Sequence, residues 1–100
     1  MLGFAAKGIR GLLPIRLDVT RQETVDAALQ TVQAWLSEDP SREFAGLINN
    51  AGIAYNAPVE LLPVEKAMEV YDVNVFGVHR LTKAFIPLLR QHKGRVINVR

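Results

Sequence analysis

The chain has 100 residues, 49% of them apolar and 22% charged, a composition that allows a single folded domain over 1–100 and leaves no room for a second. Twelve Lys and Arg against ten Asp and Glu, scattered along the chain, give a net charge of +2, which offers no basic stripe and argues against nucleic acid as a partner. Cysteine is absent, so disulfides, thiolate metal sites and a cysteine nucleophile are excluded, and a reducing, cytoplasmic setting is expected with no metal site.

Met1 to Ala6 is apolar, but Lys7 and Arg10 break any leader-like core, so the stretch reads as mature sequence, with a short helix from Leu2 to Arg10 and Gly11 past its end. No apolar run approaches the ~18 residues that a membrane-crossing helix needs. From Pro14, Ile15, Leu17 and Val19 alternate with Arg16 and Asp18, the period-2 pattern of a strand with one buried face. Thr20 followed by Glu23 predicts a capping box that opens a helix. Val25, Ala28, Leu29, Val32, Trp35 and Leu36 recur at three- and four-residue spacing until Ser37-Glu38-Asp39-Pro40, which predicts one buried stripe on that helix.

A second strand is expected from Ala45 to Asn49, running straight into Asn50-Ala51-Gly52. A long helix should begin near Pro63 and reach about Gln91. At 100° per residue its buried stripe comprises Val64, Ala67, Met68, Tyr71, Val75, Val78, Thr82, Phe85 and Leu89, with Glu65, Glu69, Asp72, Arg80 and Lys83 opposite, and a bend is expected at Pro87. Gly94 marks the break and Arg95 to Val99 reads as a third strand. The order strand–helix–strand–helix–strand argues for the α/β class, with a parallel sheet flanked by helices.

Two features carry chemistry. Asn49-Asn50-Ala51-Gly52 ends a strand, at the carboxyl edge where open α/β sheets place ligands; read alone, it is also a loop whose Asn and Gly supply left-handed turns. Asn74 falls at the edge of the long helix's apolar stripe, where an amide needs a partner; read alone, it is an asparagine bonding a neighbouring loop.

Together these segments resemble the central region of the short-chain dehydrogenase/reductase family. The resemblance rests on Leu17-Asp18-Val19-Thr20, Leu47-Ile48-Asn49-Asn50-Ala51-Gly52-Ile53, Asp72-Val73-Asn74-Val75-Phe76-Gly77 and Gly94-Arg95-Val96-Ile97-Asn98-Val99, in the family's order. It implies a Rossmann-like parallel sheet and NAD or NADP as cofactor. It implies that Asp18 and the Val19 backbone border the adenine, that Asn50, Ala51 and Gly52 line the adenosine and ribose, and that Asn74 is the asparagine holding a water in the catalytic proton relay. It further implies a small alcohol or carbonyl substrate, and a homo-oligomer through the Pro63–Gln91 helix, on whose outward face Val70, Val73 and Phe76 are expected.

The family's glycine-rich turn has no counterpart in Gly3, Gly8 and Gly11, and Tyr55 and Tyr71 are followed four residues on by Val59 and Val75 rather than lysine. The acid–base pair of the family is therefore not among these residues. The expected domain is an incomplete, partial Rossmann-like one, lacking the first strand and the glycine-rich turn, from an oxidoreductase whose catalysis these residues do not carry alone. The alternative is a truncated interaction module pairing with a full-length subunit. A methyltransferase-like nucleotide-binding domain is disfavoured by the paired asparagine segments.

Overall fold

A computed structural model describes residues 11–99 of the chain; the helix expected over 2–10 lies outside them. The described elements run α1 (Gln22–Ser37), β1 (Gly46–Asn49), a 3₁₀ turn (Val59–Leu61), α2 (Val64–Tyr71), a π turn (Asp72–Gly77), α3 (Val78–His92) and β2 (Arg95–Asn98).

The two strands pair in parallel, Gly46 opposite Arg95 through Asn49 opposite Asn98. Parallel neighbours need a crossover, and the α2–α3 rod provides it. Gly46 permits the pairing at its start: a Cβ there would lie 2.8 Å from the Arg95 carbonyl oxygen. Arg95 N–H donates to the Ala45 carbonyl and Val99 N–H to that of Asn49, which extends the ladder at both ends.

Burial alternates along residues 15–19 as the period-2 pattern requires, with Ile15 and Leu17 half-buried, Val19 buried, and Arg16 and Asp18 exposed. The expected strand is not realised there, because among the described residues no strand lies beside it; Arg16 alone forms an isolated bridge. An apolar cavity of about 250 Å³, lined by Ile15, Leu17 and Val19 on one side and by Ile48 and Asn49 on another, lies between that segment and β1.

Helix α1 buries Val25 completely and Ala28 nearly so, and Leu29, Val32 and Leu36 pack against the core. Trp35 departs from the expected stripe: it stands at the surface with the Arg42 guanidinium 4.2 Å above its ring, a contact that suits an amphipathic aromatic. The capping box also fails to form. Thr20 turns its hydroxyl to Asp18 Oδ1 at 2.7 Å, and Thr24 Oγ1 instead accepts the Asp18 N–H at 3.0 Å. The helix consequently starts at Gln22, and Arg21 makes no side-chain cap.

On α3, Leu81, Phe85, Leu88 and Leu89 are buried. The Phe85 ring stacks on Phe44 with centroids 5.4 Å apart. The stripe expected on the amino-terminal half of the rod is corrected: Val64, Met68, Tyr71 and Val75 are all exposed, Met68 by 65%. The buried line passes instead through Val73, Gly77, Leu81 and Phe85, since the π turn carries an extra residue and shifts the count. Val73 and Val70 are accordingly half-buried rather than outward, and of the three residues expected outside only Phe76 is exposed. α3 continues past Pro87 to His92, and the π turn is where the rod departs from α-helical geometry. The rod ends on Lys93, left-handed at φ 54°, rather than on Gly94. Gly94 is required for space, because a Cβ would lie 2.8 Å from the Phe44 carbonyl oxygen.

Helices cover one face of the sheet. Leu47 and Asn49 turn toward them, while Ile48 and Ile97, opposite one another, are exposed on the other face.

Candidate functional site

β1 ends at Asn49, whose side chain is buried, 4% exposed. Its Nδ2 donates to Thr82 Oγ1 at 3.2 Å and to Asn98 Oδ1 at 2.8 Å, tying the strand end to α3 and β2. Its Oδ1 has no hydrogen-bond partner. With its amide so employed, Asn49 is a joint between elements, and the next three residues turn away from the sheet.

Asn50, Ala51 and Gly52 form that turn. The chain after it is held by Asn74: Nδ2 donates to the Ile53 carbonyl at 2.8 Å, and Oδ1 accepts the Ile53 N–H at 3.0 Å. One amide thus satisfies both backbone groups of an irregular residue, which would otherwise rely on water. Among the described residues the second N–H and the second lone pair of that amide have no further partner. Gly52 lies against it, its would-be Cβ 3.5 Å from Asn74 Oδ1. Asn50 to Ala54, Asn74, Val78 and Val99 line an open hollow of about 620 Å³. The two asparagine segments therefore share one cleft.

Asn74 stands in the π turn, a helix irregularity that recurs at functional positions. Asn74 bonds a neighbouring loop, as its place beside the apolar stripe allows, and the residue it bonds, Ile53, directly follows the Asn50–Gly52 turn.

Asp18 and Val19 lie elsewhere around the helix. The Asp18 carboxylate accepts from the Thr20 hydroxyl and, at 2.9 Å, from the Thr20 N–H. These two bonds, the hydroxyl's first, hold its pKa below the ordinary aspartate value. Val19 is buried against Gly77 of the π turn, where a Cβ would lie 2.6 Å from Val19 Cγ2. Val19 lines the 250 Å³ cavity together with Asn50 and Ala51, and Asp18 borders neither space.

Two residues of this neighbourhood escaped the sequence reading. Asp72 and Arg80, assigned to the solvent face, are half-buried and paired at 2.6 Å; their eight-residue separation falls outside the i,i+3 and i,i+4 rules that a sequence scan uses. Among the described residues no cluster of His, Cys, Asp and Glu suits a metal ion, and no helix is long and apolar enough to cross a membrane.

The residues present fit part of a nicotinamide dinucleotide. The hollow has the room, a glycine admits close approach to the main chain, and the exposed Asn50 and the spare valences of Asn74 supply polar contacts.

Comparison with known proteins points the same way. The family model for the short chain dehydrogenase matches residues 5–100. D-beta-hydroxybutyrate dehydrogenase, mitochondrial, of Bos taurus is 44% identical over 88 residues, covering 88% of this chain and 25% of that protein. Retinol dehydrogenase 16 of Homo sapiens is 42% identical over 86 residues, covering 85% of this chain and 26% of the relative. The chain thus spans about a quarter of the length of these curated relatives. Among solved structures, NADPH-bound carbonyl reductase from chicken fatty liver superposes with a TM-score of 0.77 at 30% identity, covering 88% of this chain and 34% of that one. The KRED1-Pglu enzyme superposes at 0.78 with 28% identity, covering 96% and 39%. A match running through nearly the whole sequence, joined to a parallel α/β sheet whose strand end and following helix bring two asparagine segments into one cleft, places the chain in the short-chain dehydrogenase family.

Proposed function

We propose that these residues form the adenosine-side wall and the asparagine of a nicotinamide-dependent oxidoreductase site that interconverts an alcohol and a carbonyl. The observation that carries the reading is the Asn74–Ile53 clasp, which joins the helix to the Asn50–Gly52 turn and shapes the hollow they share.

Asn50, Ala51 and Gly52 would hold the adenosine and ribose, and the Asp18–Val19 segment would border the adenine. NAD or NADP, when bound, supplies hydride chemistry. Asn74 holds Ile53 with one donor and one acceptor and offers its remaining N–H and lone pair to a water, which suits a proton relay. These 100 residues hold no Tyr-x-x-x-Lys, so the acid–base step is assigned outside them.

A second reading concerns partners. Val64, Met68, Tyr71 and Val75 form an exposed apolar line at spacings of four, three and four residues, which favours packing of the α2 face against a second subunit.

The cofactor reading is tested on the intact protein by fluorescence titration with NADH and NADPH. Gly52→Leu, which fills the hollow, is expected to weaken binding at least about tenfold, equal to about 1.4 kcal/mol. Unchanged affinity would overturn the assignment. The 100-residue chain alone is expected to give no turnover of a carbonyl substrate; measurable turnover would overturn the claim that the acid–base step lies outside it.

A further inference from the structure

Arg80 reaches two elements at once. Its Nη1 donates to the Val19 carbonyl at 3.0 Å and more weakly to the Asp72 carbonyl at 3.5 Å, while its Nη2 donates to Asp72 Oδ1 at 2.6 Å. Val19 precedes α1, Asp72 opens the π turn, and Arg80 lies in the first turn of α3. Among the described residues this is the one side-chain hydrogen bond that ties the 11–20 segment to the long helix. A planar guanidinium suits the task, because its donors point in fixed directions and serve several acceptors at once. The pair is also sheltered, with side chains 27% and 39% exposed, so water and salt screen it less than an open surface pair.

Gly77 closes the same junction. A Cβ at Gly77 would lie 2.6 Å from Val19 Cγ2 and 3.2 Å from the Asp72 carbonyl oxygen. The segment from Asp72 to Gly77 is the π turn, so both ends of that turn are held against Val19, one by the arginine and one by the missing side chain. Asn74 stands between those ends. A π turn is rare, and a less favoured local geometry persists where its surroundings over-determine it. Its register matters, because moving a helix by one residue turns each side chain by about 100° about the axis, which would take Asn74 off Ile53.

We propose that Arg80 is a positioning residue: by holding Asp72 against the Val19 carbonyl it keeps the π register in which Asn74 clasps Ile53 and faces the Asn50–Gly52 turn. Its consequence for chemistry rests on the reading of Asn74 given above, but the clasp itself is measurable without cofactor.

The test is amide hydrogen exchange by NMR on the full chain, following the Ile53 N–H and the Asn74 side-chain amide, with the Val25 and Ala28 amides of α1 as the gauge of overall stability. Arg80→Met is expected to speed Ile53 exchange about fivefold or more, the size of one net hydrogen bond, while the α1 amides stay within about twofold. Arg80→Lys should restore part of the protection, since an ammonium can pair with Asp72 but cannot fork to Val19. Asp72→Asn, which keeps the shape and removes the charge, should move Ile53 in the same direction by less, and it decides the matter if Arg80→Met does not fold. Parallel acceleration of Ile53 and α1, or no change at Ile53, overturns the proposal. NADH and NADPH binding by the unsubstituted protein is scored separately, so failure of the cofactor reading is told apart from failure of the positioning role.

Discussion

Asn74 grips both backbone groups of Ile53 with a single amide, donating at 2.8 Å and accepting at 3.0 Å across 21 residues of sequence. The clasp gives an irregular loop the pairing that a strand would have given it. Asn74→Ala should therefore cost about 1–2 kcal/mol in denaturant unfolding, two net hydrogen bonds at a partly solvated site. Asn74→Asp keeps the acceptor for the Ile53 N–H but sets a carboxylate oxygen against the Ile53 carbonyl, and should be at least as destabilising as alanine. In the intact protein either change is expected to lower kcat and, because the clasp shapes the hollow beside the Asn50–Gly52 turn, to weaken cofactor binding as well. Equal stability of the three forms would show that the clasp is not made in solution.

A Cβ at Gly77 would meet Val19 at 2.6 Å, and glycine is there for space, since its φ is an ordinary helical −62°. Gly77→Ala gains about 1 kcal/mol of helix propensity yet forces a Cβ to 2.6 Å from Val19 Cγ2. Overpacking of this kind typically costs about 1–3 kcal/mol, so the expected net effect is destabilising. The double substitution Gly77→Ala, Val19→Ala should recover much of the loss, giving a favourable coupling of about 1 kcal/mol or more in a double-mutant cycle. Additive losses would place Val19 away from Gly77.

Much of this was legible because burial follows periodicity wherever the chain covers its own apolar faces. Val25, Ala28 and Phe85 are buried where the helical count puts them, the Ile15–Val19 segment alternates correctly, and β1 pairs with β2. The asparagine segments were legible as a pair through the resemblance, since a turn at a strand end and an amide on the next helix have to meet at the sheet's carboxyl edge. The failures share a physical cause. An apolar stripe says that a face needs covering but not what covers it, so Val64, Met68, Tyr71 and Val75 read as core and stand exposed. A π turn has no signature in a 100° count, and its extra residue moved the buried line from Val75 to Val73 and Gly77. The Thr20 hydroxyl could accept from the N–H groups of the helix terminus or donate to the Asp18 carboxylate, and it donates to the carboxylate.

That competition makes a pH prediction. Because the Thr20 hydroxyl and N–H hold the Asp18 pKa low, the ionised form is favoured in the folded state. The stability this lends is present above the unfolded aspartate value and is lost as pH falls through the lower folded value. Thr20→Val removes the hydroxyl and leaves the N–H, so the Asp18 carboxyl should titrate closer to its ordinary value, and stability should vary less with pH between about pH 2 and 5. Asp39 is the internal control, since its pKa is lowered by the Ser41 N–H and hydroxyl and should not move. The measurement is a carboxyl NMR titration of both forms; an unmoved Asp18 would show that the hydroxyl bond contributes nothing.

The exposed line on α2 and the π turn separates the subunit reading from a solvated surface. Met68 and Val75 project from it, 65% and 50% exposed, and neither belongs to the core or to the hollow. Replacing both with lysine should leave the folding free energy of a monomer within about 0.5 kcal/mol, as for ordinary surface substitutions. If the face packs against a second subunit, the same pair of charges would be buried without partners, and the dimer should weaken by at least about a hundredfold, roughly 2.7 kcal/mol. Sedimentation velocity over a concentration series reads the association, and denaturant unfolding at low concentration reads the monomer. Unchanged association would remove the subunit reading. A large loss of monomer stability would instead mean that another part of the same chain covers the face.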